Sequence, residues 1–142
     1  MPEPALPPGK SDLRARPERL VRTYPDFPRD AETLLCDPLD GALWIVTKDP
    51  GGRSALYRVD EREGRLRRAG VGVSLAAPMP RGAGGLKRAL GSLRVTDGAV
   101  SPDGRWVALL TYGRIVRYAL RAPGPPGVPT RSLADAFASQ PV

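Results

Sequence analysis

Proline and glycine interrupt this chain so often that they constrain its fold more than any other feature of the sequence. The 142 residues include 17 prolines and 16 glycines. Both residue types break regular structure, so the chain favours many short strands joined by turns and disfavours long helices. Only 6% of the residues are aromatic, which leaves few large side chains for the modest core that one domain of this length can bury.

The charge of the chain is strongly basic. The net charge is +7 and the isoelectric point is about 10.3. The arginines are scattered through predicted loops and strands, and the densest group, at residues 62–68, is interleaved with glutamates. The aromatic platforms and basic grooves of nucleic-acid binders are missing. We therefore expect a solvated basic surface and do not expect a nucleic-acid partner.

The residue types that catalysis and metal binding use most are scarce. The chain has no histidine, which excludes Ser-His-Asp chemistry and the commonest zinc ligand. Cys36 is the one cysteine, so no disulfide can form within the chain. Because it ends an apolar run, we expect Cys36 to be buried as a small apolar side chain. No catalytic residue is predicted.

Membrane and secretion signals are also missing from the pattern. No stretch approaches the roughly 20 apolar residues that span a bilayer. The first ten residues are rich in proline and lack the apolar core of a signal peptide. The sequence as written therefore predicts no membrane contact and a cytoplasmic location.

Changes in composition divide the chain into five segments. Residues 1–17 contain five prolines and are predicted to be disordered. Residues 18–75 carry the first set of strands, and residues 76–92 form a loop rich in glycine and proline. Residues 93–120 carry a second set of strands. Residues 121–142 are a linker followed by a short helix at residues 132–139.

The first set of strands follows a meander pattern. Residues 20–24 predict a short strand, and residues 33–73 predict four strands separated by turns. Residues 42–47 are the strongest of these because they are aromatic and β-branched. The next two strands are predicted at residues 54–59 and 65–73. About 40 residues of alternating strand and turn are the size of one propeller blade.

The second set of strands resembles the first. A turn at residues 101–105 separates strands predicted before it and at residues 106–111, and a third follows at residues 115–120. Each set has an Asp-Gly turn followed by a strand that contains tryptophan, Trp44 in the first and Trp106 in the second, which suggests a loose internal repeat. The pattern of strands and turns alone is equally compatible with an antiparallel sandwich and with propeller blades.

Two stretches resemble a known family. Residues 100–108, Val-Ser-Pro-Asp-Gly-Arg-Trp-Val-Ala, resemble the Ser-Pro-Asp-Gly turn of WD40-like, TolB-type β-propeller repeats. Residues 24–58 resemble the opening blade of bacterial phytase-like and esterase-like propellers, which have a Leu-Trp-Val-x-Thr-Lys strand before a glycine turn. The resemblance implies an all-β fold of antiparallel meanders, a partial β-propeller of about two blades.

The phytase-like members also imply a site. Asp30 and Glu32 match the acidic pair that binds calcium at the channel mouth, Asp97 matches a further oxygen ligand, and Lys48 matches a basic contact to phosphate. Calcium takes six to eight oxygen ligands, and such ions can clamp phosphate and activate water. The alternative interpretation is structural: a turn cap, an exposed strand residue, a backbone-bonded aspartate and a solvated lysine.

The length of the chain limits these expectations. A complete propeller of four or more blades needs more residues than the chain has. The sequence is therefore a fragment, or it completes a ring by self-association, or it is not a propeller. We expect a non-catalytic binding or scaffold module without a cofactor. The alternative is a calcium-dependent, phytase-like phosphoester hydrolase that acts only in an oligomer or a longer parent chain. The members of the propeller family that the sequence resembles are often exported from the cell, so the resemblance does not by itself favour the cytoplasmic location predicted from the sequence as written.

Overall fold

A computed structural model describes residues 18–60, 63–69, 72–75, 93–120 and 133–138. Within these ranges the strands are β1 (Ala31–Cys36), β2 (Leu43–Thr47), β3 (Arg53–Ser54), β4 (Leu56–Val59), β5 (Leu66–Arg68), β6 (Val73–Ser74), β7 (Val95–Val100), β8 (Trp106–Thr111) and β9 (Ile115–Ala119). The described residues also form one α-helix, α1 (Leu133–Ala138), and a short 3-10 helix at Pro50–Gly52. The fold is all-β and antiparallel, as predicted. The predicted disordered segment at residues 1–17, the 76–92 loop and the 121–132 linker lie outside the described residues.

The first sheet has four strands in the order β1-β2-β4-β5, and every neighbouring pair is antiparallel. The turn between β1 and β2 begins at Asp37, whose carboxylate accepts a hydrogen bond of 3.0 Å from the Leu39 amide. It ends near Gly41, whose φ of 70° is one that side chains other than glycine rarely adopt. The predicted four-stranded meander is therefore confirmed.

Two predicted strand boundaries were wrong in this half of the chain. Each of the two strands predicted at residues 54–59 and 65–73 is two strands in the structure. β3 and β6 do not belong to the first sheet but pair with each other as a separate two-stranded sheet. Residues 20–24 do not form a strand. Their one ladder contact is an isolated parallel bridge between Thr23 and Arg65. Short runs of apolar residues predict extended backbone, but pairing partners decide which residues join a ladder.

The second sheet has three strands in the order β7-β8-β9, again antiparallel. The turn between β7 and β8 is held by Ser101, whose hydroxyl oxygen accepts hydrogen bonds from the amides of Arg105 (3.1 Å) and Trp106 (3.0 Å). Gly104 supplies the positive φ of 64°. These bonds confirm the turn predicted at residues 101–105.

The two sheets pack face to face around one core. The inner face of the first sheet includes Leu35, Val46 and Leu56, and the inner face of the second includes Val107, Leu109 and Tyr118. Helix α1 adds Phe137, whose ring meets that of Tyr118 edge-on at 5.1 Å. The two tryptophans, by contrast, are only half-buried. The short predicted helix is confirmed, although its predicted ends extend beyond the described residues.

The two sheets share a strand register. In the first, Thr47 lies opposite Ala31, and a bulge follows before the next pair. In the second, Thr111 lies opposite Val95 with a bulge at the same place. Thr47 and Thr111 are therefore equivalent positions. This register makes Ala108 the counterpart of Trp44, so the two sheets repeat in register although their tryptophans occupy different positions.

Candidate functional site

Three of the four residues predicted for an ion and phosphate site lie together where β1 begins and β2 ends. The Lys48 Nζ lies 2.6 Å from Glu32 Oε1. The Lys48 amide donates a hydrogen bond of 2.8 Å to the Asp30 carbonyl. Antiparallel pairing of the two strands produces this arrangement, because it places the start of β1 beside the end of β2.

Lys48 is already engaged by its neighbours. Its ammonium lies 5.0 Å from the centre of the Tyr112 ring, an arrangement that attracts a cation to the ring face. The Glu32 carboxylate, and secondarily Tyr112, raise the pKa of Lys48. The lysine is therefore held as a cation between a carboxylate and a ring, in the manner of a surface ion pair.

Asp97 lies in β7 and makes a local contact. Its carboxylate accepts a hydrogen bond of 2.8 Å from the amide of Gly98. Within the part of the chain that the structure describes, no group of three or more histidine, cysteine, aspartate or glutamate side chains is placed to hold a metal ion. Calcium prefers several oxygen ligands at once, carboxylates among them.

A second polar cluster was not predicted from the sequence. Its centre is Asp26, whose carboxylate pairs with Arg29 at 2.7 Å and with Arg68 at 3.5 Å. The Tyr57 hydroxyl donates to the same carboxylate at 2.9 Å. The hydrogen bond from Arg29 is the main reason that the pKa of Asp26 is held well below its usual range. Asp26 and Arg29 are three residues apart, but Tyr57 and Arg68 are distant from them in the sequence, so no local motif identifies the whole cluster.

This cluster holds residues 18–30, the segment before β1, against the first sheet. The Tyr24 ring meets the Tyr57 ring edge-on at 5.0 Å. The Leu66 amide donates to the Thr23 carbonyl at 2.9 Å. Tyr57 lies on the face opposite to the core, since it pairs with Ile45 rather than with Val46. The segment therefore covers one part of that face and borders the rest.

The uncovered part of that face forms an apolar groove. We call the face that includes Leu34, Leu43 and Ile45 the outer face of the first sheet, and the cavity on it the outer groove. The cavity has a volume of about 270 Å³ and is lined by Leu20, Arg22, Tyr24, Leu34, Leu43, Ile45, Val59 and Leu66. A second cavity of about 460 Å³ adjoins it and adds polar groups, among them Asp40, Arg58 and Asp60.

The groove is a hydrophobic surface with charged groups at its border. The Arg22 Nε donates a hydrogen bond of 2.8 Å to the Asp60 carbonyl, and an Arg58 nitrogen lies 3.9 Å from the Asp40 carboxylate. The apolar residues at Leu34, Leu43 and Ile45 were visible in the sequence. Strands that are apolar on both faces are typical of strands covered on both faces, and this is the signal that could have identified the groove.

Cys36 belongs to the same outer face. The expectation that it is buried was wrong, because the side chain is exposed. Successive residues of a strand point to opposite faces, and Leu35 takes the buried position in β1. Leu34 and Cys36 consequently share the outer face, where the thiol is a natural reporter of whatever covers the groove.

Comparisons with known proteins do not decide among these sites. No protein-family model, curated protein or solved structure matches the chain. Among the described residues, no helix has the length and apolar character needed to cross a bilayer.

Proposed function

We propose that this chain is a propeller-like, non-catalytic binding or scaffold module that receives an apolar protein surface in the outer groove. The exposure of Leu34 carries the proposal: 58% of this leucine is accessible to solvent, in a strand whose neighbouring residues pack into the core. Contiguous exposed apolar surface of this kind marks interaction sites in soluble proteins. The two stacked antiparallel meanders support the propeller-like part of the proposal.

The border of the groove indicates the chemistry of its ligand. Arg22 lines the groove, and Arg58 lines the adjoining cavity together with Asp40 and Asp60. Arg58 pairs with Asp40 and Arg22 bonds to the Asp60 carbonyl, so the border carries both signs of charge and the ligand is selected by its apolar surface. Anilinonaphthalene sulfonate, a dye that binds exposed apolar protein surface, can serve as the probe.

The test measures dye fluorescence and the alkylation rate of Cys36 in the full-length protein under reducing conditions. We expect the dye to bind at a saturable site and to slow alkylation of Cys36, because the thiol lies on the same face as the groove. Leu34→Asp should abolish both effects, since it places a charge in the apolar surface.

The matched control is Leu39→Asp. Leu39 is exposed to a similar extent, 60%, but it lies in the turn after β1 and does not line the groove. This variant should bind the dye and protect Cys36 as the wild type does. Dye that fails to bind, or that binds equally well to the Leu34→Asp variant, would contradict the proposal.

Calcium-dependent phosphoester hydrolysis is the alternative function. The observation in its favour is the clustering of Asp30, Glu32 and Lys48 where β1 begins and β2 ends. A thermal melt with and without millimolar calcium separates the two functions, because a ligand that binds the native state raises the melting temperature. The binding-module proposal predicts no shift. A calcium-dependent rise that disappears in the Glu32→Gln variant would favour the hydrolase.

A further inference from the structure

The shared register has a consequence for the two faces of each sheet. Leu35 in the first sheet corresponds to Ala99 in the second, and Val46 corresponds to Leu110. Leu35 and Val46 are buried on the inner face, whereas Ala99 and Leu110 lie on the face of the second sheet that points away from the core. The two sheets are thus stacked with equivalent faces pointing in the same direction, so the inner face of the first sheet is equivalent to the outer face of the second.

Such a stack leaves two different faces at its ends. The outer face of the second sheet includes Leu110 and Ile115, which are 42% and 70% exposed, whereas their counterparts Val46 and Leu56 are 0% exposed. At the other end, Ile45 on the outer face of the first sheet is half-buried, whereas its counterpart Leu109 is fully buried. Each uncovered face is therefore the counterpart of a face that is covered within the chain.

We infer that the occupant of the outer groove is a second copy of this chain, which docks head to tail. In this contact the outer face of the first sheet of one copy packs against the outer face of the second sheet of the next copy. The contact repeats between chains the packing that already joins the two sheets within the chain. The inference rests on the proposed function and names the partner of the groove.

The sizes of the residues at the centre of the contact support this pairing. Within the chain the sheets approach closely at Gly98, where an added Cβ would lie 2.9 Å from Leu35 Cδ2. Between copies, the counterparts of this pair are Leu34 and Ala99. The large residue and the small residue exchange sheets. The pair between copies is larger by one methyl group, so the contact between copies needs slightly wider spacing at this position than the contact within the chain.

A second copy also explains both uncovered faces, which a single short segment of the chain does not. Residues 1–17, placed over the outer groove, would leave Leu110 and Ile115 of the second sheet exposed. In a head-to-tail contact the two faces cover each other, and every copy uses both. A contact between different patches closes into a ring or continues as a longer assembly, and both forms depend on the same residues.

The test uses sedimentation velocity and light scattering on the full-length protein at rising concentration. The wild type should assemble beyond the 15.2 kDa monomer, with alkylation of Cys36 slowing as it does so. Leu34→Asp and Leu110→Asp should each lose assembly, because each removes one of the two faces. A mixture of the two variants should form a dimer and nothing larger, since each still carries the face that the other lacks.

Other results would overturn the inference. If Leu34→Asp loses assembly but Leu110→Asp keeps it, the groove pairs with itself rather than with the second sheet. A mixture that stays monomeric would also contradict the head-to-tail contact. Leu39→Asp is the control and should assemble normally, and circular dichroism should show that all variants are folded.

The outcome can be separated from that of the proposed function. A wild type that stays monomeric at all concentrations, but still binds the dye with protection of Cys36, would remove the second copy as the partner and keep the groove as a binding surface. A deletion of residues 1–17 that speeds alkylation of Cys36 in the monomer would assign the groove to that segment and would overturn the inference.

Discussion

The two sheets have the same strand register but bury different faces. The first sheet carries apolar residues on both faces, with Leu35 turned towards the core and Leu34 turned towards the outer groove. The second sheet buries one face against the first sheet and α1, and its outer face mixes apolar residues with Arg117, whose guanidinium lies 4.3 Å from the Trp106 ring centre. Register is thus a property of the strands and turns, whereas burial is decided by what each face meets.

The turns show how different residues produce the same register. In both sheets the residue that ends the first strand is followed by a polar side chain that accepts backbone hydrogen bonds, Asp37 in one and Ser101 in the other. A glycine with positive φ follows within the turn in each case. Aspartate and serine both bond to backbone amides close by in the chain, so equivalent turns can form without identical residues.

The largest predicted change in the free energy of unfolding comes from truncating a side chain on the buried face of β8. We expect Leu109→Ala to lower the free energy of unfolding by about 2–5 kcal/mol, because Leu109 is fully buried and its truncation leaves a cavity. Leu110→Ala, at the next residue, should change it by less than about 0.5 kcal/mol, as is usual at exposed positions. Urea denaturation at a protein concentration where the chain is monomeric measures both.

Leu110→Ala serves as the control for Leu109→Ala. The two substitutions remove the same atoms from adjacent residues, so intrinsic strand propensity contributes equally to both. Losses of similar size in the monomer would show that the outer face of the second sheet is covered within the chain, which would contradict the contrast between the faces.

The second-largest predicted change in stability is at Gly98, where the two sheets lie close together. An added Cβ on Gly98 would lie 2.8 Å from Leu109 Cδ2 and 2.9 Å from Leu35 Cδ2. Gly98→Ala should therefore destabilise the fold by about 1–3 kcal/mol through overpacking. Leu35→Ala combined with Gly98→Ala should cost less than the sum of the two single changes, because the space made by one accommodates the other. Strict additivity in this double-mutant cycle would contradict the close contact.

The strands were predictable where the sequence itself carries the signal. The strand at Trp106–Thr111 has the predicted boundaries, because a run of apolar residues follows a turn with recognisable proline, aspartate and glycine. The short helix was predicted from the spacing of Leu133, Ala136 and Phe137, all three of which are buried. Local patterns of this kind depend only on neighbouring residues, so no partner needs to be known.

The features that were missed depend on partners distant in the sequence. The exposure of Cys36 follows from the choice of Leu35 as the inward residue, which depends on the second sheet. The contacts of Asp26 with Tyr57 and Arg68 join residues from three parts of the chain. Glu32 and Lys48 were both predicted as site residues. The sequence did not show that they pair with each other, because that contact depends on the pairing of β1 with β2.

The smallest effect concerns the charged cluster that fastens the segment before β1 to the first sheet. The pKa of Asp26 is lowered from an ordinary value of 3.8, chiefly by the hydrogen bond from Arg29. A carboxylate with a lowered pKa in the folded state stabilises the fold above its ordinary pKa, and this contribution is lost as the pH falls below that value. Asp26→Asn should therefore reduce stability at neutral pH and weaken the loss of stability on acidification below pH 3.8.

The second sheet supplies the matched control for this prediction. The pKa of Asp103 is also lowered, first by the hydrogen bond from Ser101, but Asp103 lies in the turn between β7 and β8 and does not fasten a distant segment. Asp103→Asn should change the acid sensitivity without changing the alkylation rate of Cys36. Asp26→Asn should change both, because loosening residues 18–30 uncovers more of the outer face of the first sheet. An alkylation rate that is the same in both variants would show that the Asp26 cluster contributes charge pairing to the first sheet but does not shape the groove.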